Sequence, residues 1–370
     1  MSLYQKIHGP GPKKLLTLDG GGIRGILTVE ILAKIEDLLR EKLKGDKNFV
    51  LADYFDFFAG TSSGAIIAAC LSWGMTVDQI RNFYLENGKE MFDKASILKR
   101  HWYKFEDEKL SKRLQKEFGT DTTLGDDKLR TLLMMVMRNI TTDSPWPVSN
   151  NPGAKFNDMK RGDNNLNLPL WKLIRASTAA PPYFPPETVK LGSKEFIFGD
   201  GGITVYNNPS FQAFIMATIE PYNLNWQTGE DDVLLVSVGT GINLYANLGL
   251  RPGEMNIFYN TTSISAALMF SALMEQDFLC RVFGKCLAGE PLDREVGNMV
   301  GKRGPGPKLF TYVRYNAELT REGLDALGLP NVKPENVEQL DSMEFVGDLQ
   351  KVGKAAAEKV KAEHFAGFEI

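Results

Sequence analysis

Residues 13–39 read KKLLTLDGGGIRGILTVEILAKIEDLL, and this stretch decides the fold. Residues 13–18 are a short apolar run, which predicts a buried strand. Asp19 and three consecutive glycines then predict a tight turn. Beyond the turn, Ile26, Val29, Leu32, Ile35, Leu38 and Leu39 share one face of a helix over 26–39. The alternation continues. Strands are predicted over 55–59, 129–140, 195–199, 232–238 and 308–315. Helices are predicted over 65–73, 168–179, 207–219 and 257–283. Thr76-Val77-Asp78-Gln79 has the spacing of a capping box and starts a further helix toward Asn87. Several strands are continuous apolar runs, as in a mostly parallel sheet covered on both faces.

Other segments are less regular. A polar helix is predicted over 99–118. Residues 143–167 are rich in Pro, Gly and Asn and predict a long loop. The chain after 316 reads as mainly helical. No composition break marks a boundary, so a single domain over 1–370 is expected. Its core would cover about 13–315, with helical additions at about 90–120 and 316–370.

The bulk composition narrows the class. The chain has 370 residues, 43% hydrophobic and 24% charged, enough to bury a full core without disulfide staples. A net charge of -3 argues against a nucleic-acid polymer as partner. Cys70, Cys280 and Cys286 have no metal-ligand spacing, and free thiols in a reducing, cytoplasmic setting are expected. Residues 1–14 lack the apolar core of a secretory signal. The longest apolar segments, 65–75 and 266–274, are too short to span a bilayer. A lipid substrate would therefore be reached from the water side, by peripheral contact.

Two motifs carry chemistry. Gly20, Gly22 and Gly25 match G-x-G-x-x-G between a strand and a helix, the dinucleotide fingerprint. The acidic residue that the fingerprint wants after a second strand is missing: Glu36 and Glu41 lie in or just after a helix, and Asp46 in a polar loop. The same glycines can instead turn backbone N–H groups into an anion-binding concavity at a helix N-terminus, for a phosphate or an oxyanion. Arg24 beside them is either direct support for that anion or a salt bridge that holds the loop.

The second motif is FAGTSSGAII, 58–67. It holds G-x-S-x-G with Ser62 at its centre, between a strand and an apolar helix, as a nucleophile elbow requires. Ser63 is expected to cap the helix or to offer its N–H. A tight turn with a structural serine is the alternative. The usual base would be histidine, but His8, His101 and His364 follow no strand; His8 reads as part of a mobile terminus. Asp200 does follow a strand and precedes two glycines. It can reach Ser62 if the loops gather at the carboxyl edge of the sheet. A Ser62–Asp200 pair is therefore the candidate engine, with a turn aspartate as the alternative.

DGGGIRG at 19–25, GTSSG at 60–64, DGG at 200–202 and RASTAAPPYFPP at 175–186 together resemble the patatin-like phospholipase family. The resemblance covers roughly 13–245. It implies a three-layer α/β/α fold and a Ser62–Asp200 dyad. It also implies an oxyanion loop of Gly20, Gly21 and Gly22 beside Arg24, and hydrolysis of acyl esters of phospholipids or other lipids with no metal ion or cofactor. Some bacterial members are antiviral effectors switched on by cyclic dinucleotides, so a small-molecule activator is a further implied partner, with 90–120 and the tail after 316 as regions that could host it. The alternatives are a nucleotide-binding protein built on the glycine loop and an idle lipid-binding protein. Phe92, Trp102, Tyr103, Phe105, Trp146, Tyr183 and Phe184 are expected to be mostly core rather than an acyl channel or a membrane-inserting surface. Lys351, Lys354, Lys359 and Lys361 alternate with acidic residues and read as a solvated helix face.

Overall fold

The structure is a computed structural model and describes residues 2–43, 47–92, 107–181, 184–243, 251, 257–341 and 343–369. Strand β1 (Lys13–Leu18) lies at the centre of a nine-stranded sheet. It pairs in parallel with β2 (Phe57–Thr61) on one side and β7 (Val233–Val238) on the other. Parallel pairing continues from β2 to β3 (Leu132–Asn139), from β7 to β9 (Phe310–Tyr315), and from β9 to β8 (Gly284–Ala288). Three pairings are antiparallel. These join β4 (Ser144–Ser149) to β3, β6 (Lys194–Asp200) to β3, and β5 (Glu187–Leu191) to β6.

Helices cover both faces, because strand residues alternate between two cores. Leu16, Leu18, Phe58, Leu133, Met135, Met137, Leu234 and Val236 join one core with the buried sides of α2 (Gly25–Lys42), α4 (Ser63–Trp73) and α5 (Val77–Phe92). Leu15, Phe57, Ala59, Leu132, Met134, Val136, Val233 and Leu235 join the other, against α8 (Ser210–Thr218) and Ile7 of α1 (Leu3–His8). This is the three-layer α/β/α arrangement with a mostly parallel sheet. The remaining helices are α3 (Leu51–Tyr54), α6 (Asp107–Phe118), α7 (Leu170–Ser177), α9 (Ile257–Phe283), α10 (Arg321–Ala326), α11 (Pro334–Val337) and α12 (Val346–Ala357). Helix α12 packs on α2.

Several expectations need correcting. The predicted loop over 143–167 contains β4. Its Pro145 and Pro147 argue against a strand, yet β4 pairs only with β3, and an edge strand tolerates a missing N–H on its free side. The strands β5 and β8 escape a pattern search because each is five residues long with little apolar periodicity. His8 belongs to α1, which a Ser2–Gln5 capping box starts, and not to a mobile terminus. His101, Trp102, Tyr103, Phe105 and Tyr183 lie outside the described residues, as does part of the predicted helix over 99–118; the remainder forms α6. Met134, Met135 and Met137 are fully buried, as core filler should be.

Candidate active site

The register of β3 brings Ser62 and Asp200 together. One edge of β3 carries β4. The other carries β2 as far as Thr61, opposite Val136. Strand β6 takes over that edge one step later, with Asp200 opposite Met137. β6 runs antiparallel, so its carboxyl end meets the carboxyl end of β2 head-on. Asp200 thus reaches the expected edge by a route that a purely parallel sheet would not provide. Its Oδ2 accepts a 2.6 Å hydrogen bond from Ser62 Oγ.

Ser62 is held in a strained turn. Its φ is 53° and its ψ is -124°, a conformation a non-glycine residue adopts rarely. The flanking glycines allow it by close approach. A Cβ on Gly60 would lie 2.1 Å from Gly64 O, and one on Gly64 would lie 2.4 Å from Leu18 O. The Ser62 N–H donates to Ser177 Oγ at 3.0 Å, and Ser177 Oγ–H donates to Val136 O at 2.5 Å. Ser177 closes α7 and is fully buried. Ser62 itself is partly exposed at the N-terminus of α4.

Asp200 is buried at 4% exposure. Desolvation pushes its pKa up to about 6, against the opposing effect of hydrogen bonds from Ser62 and the Gly202 N–H and of the Arg175 charge. The Gly202 N–H donates to Oδ1 at 2.6 Å, which fixes the carboxylate plane. Arg175 is buried, donates to Pro185 O at 3.1 Å and stacks 5.0 Å from the Phe184 ring centroid.

The glycine loop lies against the same turn. A Cβ on Gly20 would come within 3.1 Å of Ser62 Cβ. The three loop amides do not, however, form one free row. Gly20 N–H donates to Asn207 O at 3.1 Å, and Gly21 N–H donates to Ser63 Oγ at 3.1 Å. Among the described residues, the N–H groups of Gly22 and Ser63 have no acceptor. Ser63 therefore uses its side chain to hold the loop rather than to cap α4. Ile23 N–H donates to Leu340 O at 3.0 Å, and Gly22 adopts a φ of 58° directly beneath that carbonyl.

Arg24 makes no direct salt bridge among the described residues, and its Nε is buried without an acceptor. Burial lowers its pKa to about 10, while the charges of Glu338 and Asp19 act the other way. It remains a cation at neutral pH. Asp19, at the head of the loop, pairs with Arg314 through both carboxylate oxygens, at 2.9 and 2.5 Å. Ser237 Oγ accepts from the same guanidinium at 2.6 Å, and Asp277 lies 3.9 Å from its Nε.

Four positions went unnoticed in the sequence. Ser177 sits inside RASTAAPPYFPP, a stretch used only to recognise the family. Asn207 anchors Gly20, while Thr61 Oγ1 donates to the neighbouring Tyr206 O at 2.6 Å, so this turn ties two loops together. Arg314 is a lone charge inside an apolar strand, a pattern that signals a buried pair. The contact of Leu340 with the loop carries no local signal.

The fingerprint for a dinucleotide is not completed. The strand beside β1 ends at Thr61-Ser62, with no carboxylate there. His364 is buried and bonds through Nδ1 to Tyr315 OH at 2.8 Å, a packing role. The three cysteines are free and buried. Among the described residues no group of His, Cys, Asp and Glu could hold a metal ion, and no helix is long and apolar enough to cross a membrane. Trp146 packs against Phe196 and Phe198, and Phe184 is buried, both as core. Lys351 and Lys361 pair with Asp348 and Glu363, and Lys359 with Glu290.

Comparison with known proteins places the chain in a family. The family model for patatin-like phospholipase matches residues 16–214. A cGAMP-activated phospholipase of Vibrio cholerae is 31% identical over 250 residues, 63% of this chain and 65% of that protein. An intracellular phospholipase A2 of Caenorhabditis elegans is 32% identical over 235 residues, 61% of this chain and 19% of that protein. The matched part thus spans less than two thirds of either relative. Among solved structures, VipD from Legionella pneumophila aligns over 95% of this chain and 66% of its own, at 14% identity and a TM-score of 0.40.

Proposed function

Because the chain belongs to the patatin-like phospholipase family, we propose that it is a metal-independent lipid acyl hydrolase in which Ser62 is the nucleophile and Asp200 the general base. The observation that carries this reading is the 2.6 Å hydrogen bond from Ser62 Oγ to Asp200 Oδ2. Asp200 takes the hydroxyl proton as Ser62 Oγ attacks the ester carbonyl carbon. It returns that proton to the alcohol oxygen as the C–O bond breaks. A water molecule, deprotonated by Asp200, then releases the fatty acid from the acyl-serine. A free aspartate, with a pKa near 3.9, is a poor base; burial that raises the value to about 6 makes proton capture easier while leaving the group ionised at neutral pH.

The oxyanion would be held by the N–H groups of Gly22 and Ser63, with the positive end of α4 behind them and the Arg24 charge nearby. Gly20 and Gly21, whose amides are engaged by Asn207 and Ser63, shape the loop. The substrate class is a phospholipid or another acyl-ester lipid, reached peripherally from the cytoplasmic side. Because the Vibrio cholerae relative is a cGAMP-activated phospholipase, we take a cyclic dinucleotide as the activator; stimulation of turnover by cGAMP tests this.

A fluorophosphonate probe tests the nucleophile. Labelling is expected in the native chain and lost in Ser62→Ala, together with fatty-acid release from phosphatidylcholine. Labelling that persists in Ser62→Ala removes the assignment. Tight dinucleotide binding with no labelling would favour the glycine-loop alternative.

A further inference from the structure

Helix α9 is far longer than the strands it serves. Its 27 residues span about 40 Å, whereas a six-residue strand such as β9 spans about 20 Å. It runs directly into β8, which is parallel to β9 and, through β7 and β1, to β2. The C-terminal end of α9 therefore lies at the amino edge of the sheet. Its N-terminal half points to the carboxyl edge, where β2 delivers Ser62. Leu273 and Met274 line one small cavity with Ile242 and Asn316, which lie just past the carboxyl ends of β7 and β9. The helix has thus reached that edge by Leu273, and the roughly sixteen residues before it extend about 24 Å beyond.

The projecting half is apolar in sequence, and its described side chains are largely open. Residues 257–274 contain no Asp, Glu, Lys, Arg or His. Ile264 is 54% exposed and Leu268 66%, Ala267 and Ser271 are exposed on the same face, and Ala266 and Phe270 are exposed on another. An exposed apolar surface of this kind marks an interaction site. Helix α9 also packs against the turn Gly201–Ile203 that follows Asp200, so the helix adjoins the candidate active site. Not every exposed apolar side chain is at this edge. Phe156 and Met159 follow β4, whose antiparallel direction carries the chain to the opposite edge.

We propose that the N-terminal half of α9 docks the enzyme on a phospholipid bilayer, seating Ile264 and Leu268, which share one helical face, among the acyl chains at the edge of the sheet that carries Ser62. This deepens the lipid-hydrolase reading and rests on it for the choice of occupant. A bilayer is the occupant because the lipid substrate arrives at this edge and because exposed apolar side chains there gain by leaving water for the acyl region of a lipid surface. The helix lies at the surface and does not span.

The test uses the Ser62→Ala chain, so that no lipid is consumed, and vesicles of pure phosphatidylcholine. Co-sedimentation is expected in 0.1 M and 0.5 M NaCl alike, because apolar partitioning is not screened by salt. Adding Ile264→Asp and Leu268→Asp is expected to lower the partition coefficient at least tenfold with no change in oligomeric state. In a second measurement, Leu268→Cys carries an environment-sensitive fluorophore; the native thiols are buried and should not compete. Its emission should shift to the blue when vesicles are added. The proposal is overturned if the Ser62→Ala chain does not sediment, if the two aspartates leave partitioning unchanged, or if they only dissolve a dimer, which would make a second copy the occupant. Vesicle binding that needs these residues in a chain unlabelled by fluorophosphonate would sink the nucleophile and spare the docking helix. The converse would sink docking alone.

Discussion

The turn at Ser62 and the glycine loop lie against each other but are held in different ways. The Ser62 turn is shaped by its own neighbours, Gly60 and Gly64, which let strand and helix meet; one distant residue, Ser177, ties the strained amide to Val136 of the adjacent strand. The glycine loop is held by residues far along the chain. Asn207 takes Gly20, Leu340 takes Ile23, and Arg314 on β9 clamps Asp19. A reacting hydroxyl needs a fixed turn, which its flanking glycines supply, and one base, which the sheet register delivers. A donor that waits for an oxyanion must leave an N–H unused, so the remainder of the loop has to be fastened elsewhere. The loop is therefore the part whose placement depends on the whole fold, including the segment after residue 316.

Removing the reacting groups is the largest perturbation. Ser62→Ala should lower kcat by more than about 10⁴, and Asp200→Asn by roughly 10³–10⁴. Asp200→Asn should not destabilise the protein. The folded pKa of about 6 lies above the free value, so the cost of ionising Asp200 is absent below about pH 3.8 and is incurred fully as pH rises past 6. An uncharged Asn escapes that cost, which corresponds to at most about 3 kcal/mol at pH 8 and vanishes near pH 3.5. Denaturant unfolding of both proteins at the two pH values measures it. A variant less stable than the native chain at pH 8 would mean that the buried carboxylate is net stabilising.

On the far side of the comparison, Arg314→Met strands Asp19 as a buried carboxylate. Breaking a buried pair in this way costs about 3–5 kcal/mol. The loss should appear in chemical denaturation, with soluble-ester turnover falling because Asp19 begins the loop. Turnover that survives a full loss of the clamp would show that the glycine loop is positioned without it.

These two sides differ in how legible they were. Strand β1, the Ser62 turn and the long α9 follow from apolar periodicity and glycine spacing, because each is decided within about 25 residues. Asp200 was also legible, as a carboxylate after an apolar run. Its antiparallel approach was not, since pairing direction depends on which edge of β3 is vacant. Three free loop amides were expected. The engagement of two of them depends on Asn207 and Ser63, one of them almost two hundred residues away, and no local pattern encodes that. β4 was hidden because its prolines speak against a strand everywhere except at an edge.

A smaller effect is expected at Ser177, a positioning residue. Ser177→Ala leaves the Ser62 N–H without its acceptor and relaxes the strained turn. A nucleophile displaced by a fraction of an ångström should lower kcat about 10- to 100-fold with KM little changed. Ser177→Thr, which keeps the hydroxyl, should recover part of the rate. Equal losses in both variants would point to packing rather than to the hydrogen bond.

The mildest perturbation is pH, and it separates the two sides without a mutation. The Ser62 side titrates through Asp200, which must be ionised to accept the proton. On a soluble ester, kcat/KM should fall about tenfold per pH unit below 6 and level off by about pH 7. The glycine-loop side presents amides, which do not titrate, and Arg24 is still charged well above neutrality. The profile should therefore have an acid limb and no alkaline limb between pH 7 and 9. An acid limb centred near 4 would mean that desolvation does not raise Asp200 in solution. A second limb within the plateau would require a titrating group in the oxyanion region and would undo the assignment of its donors to backbone amides.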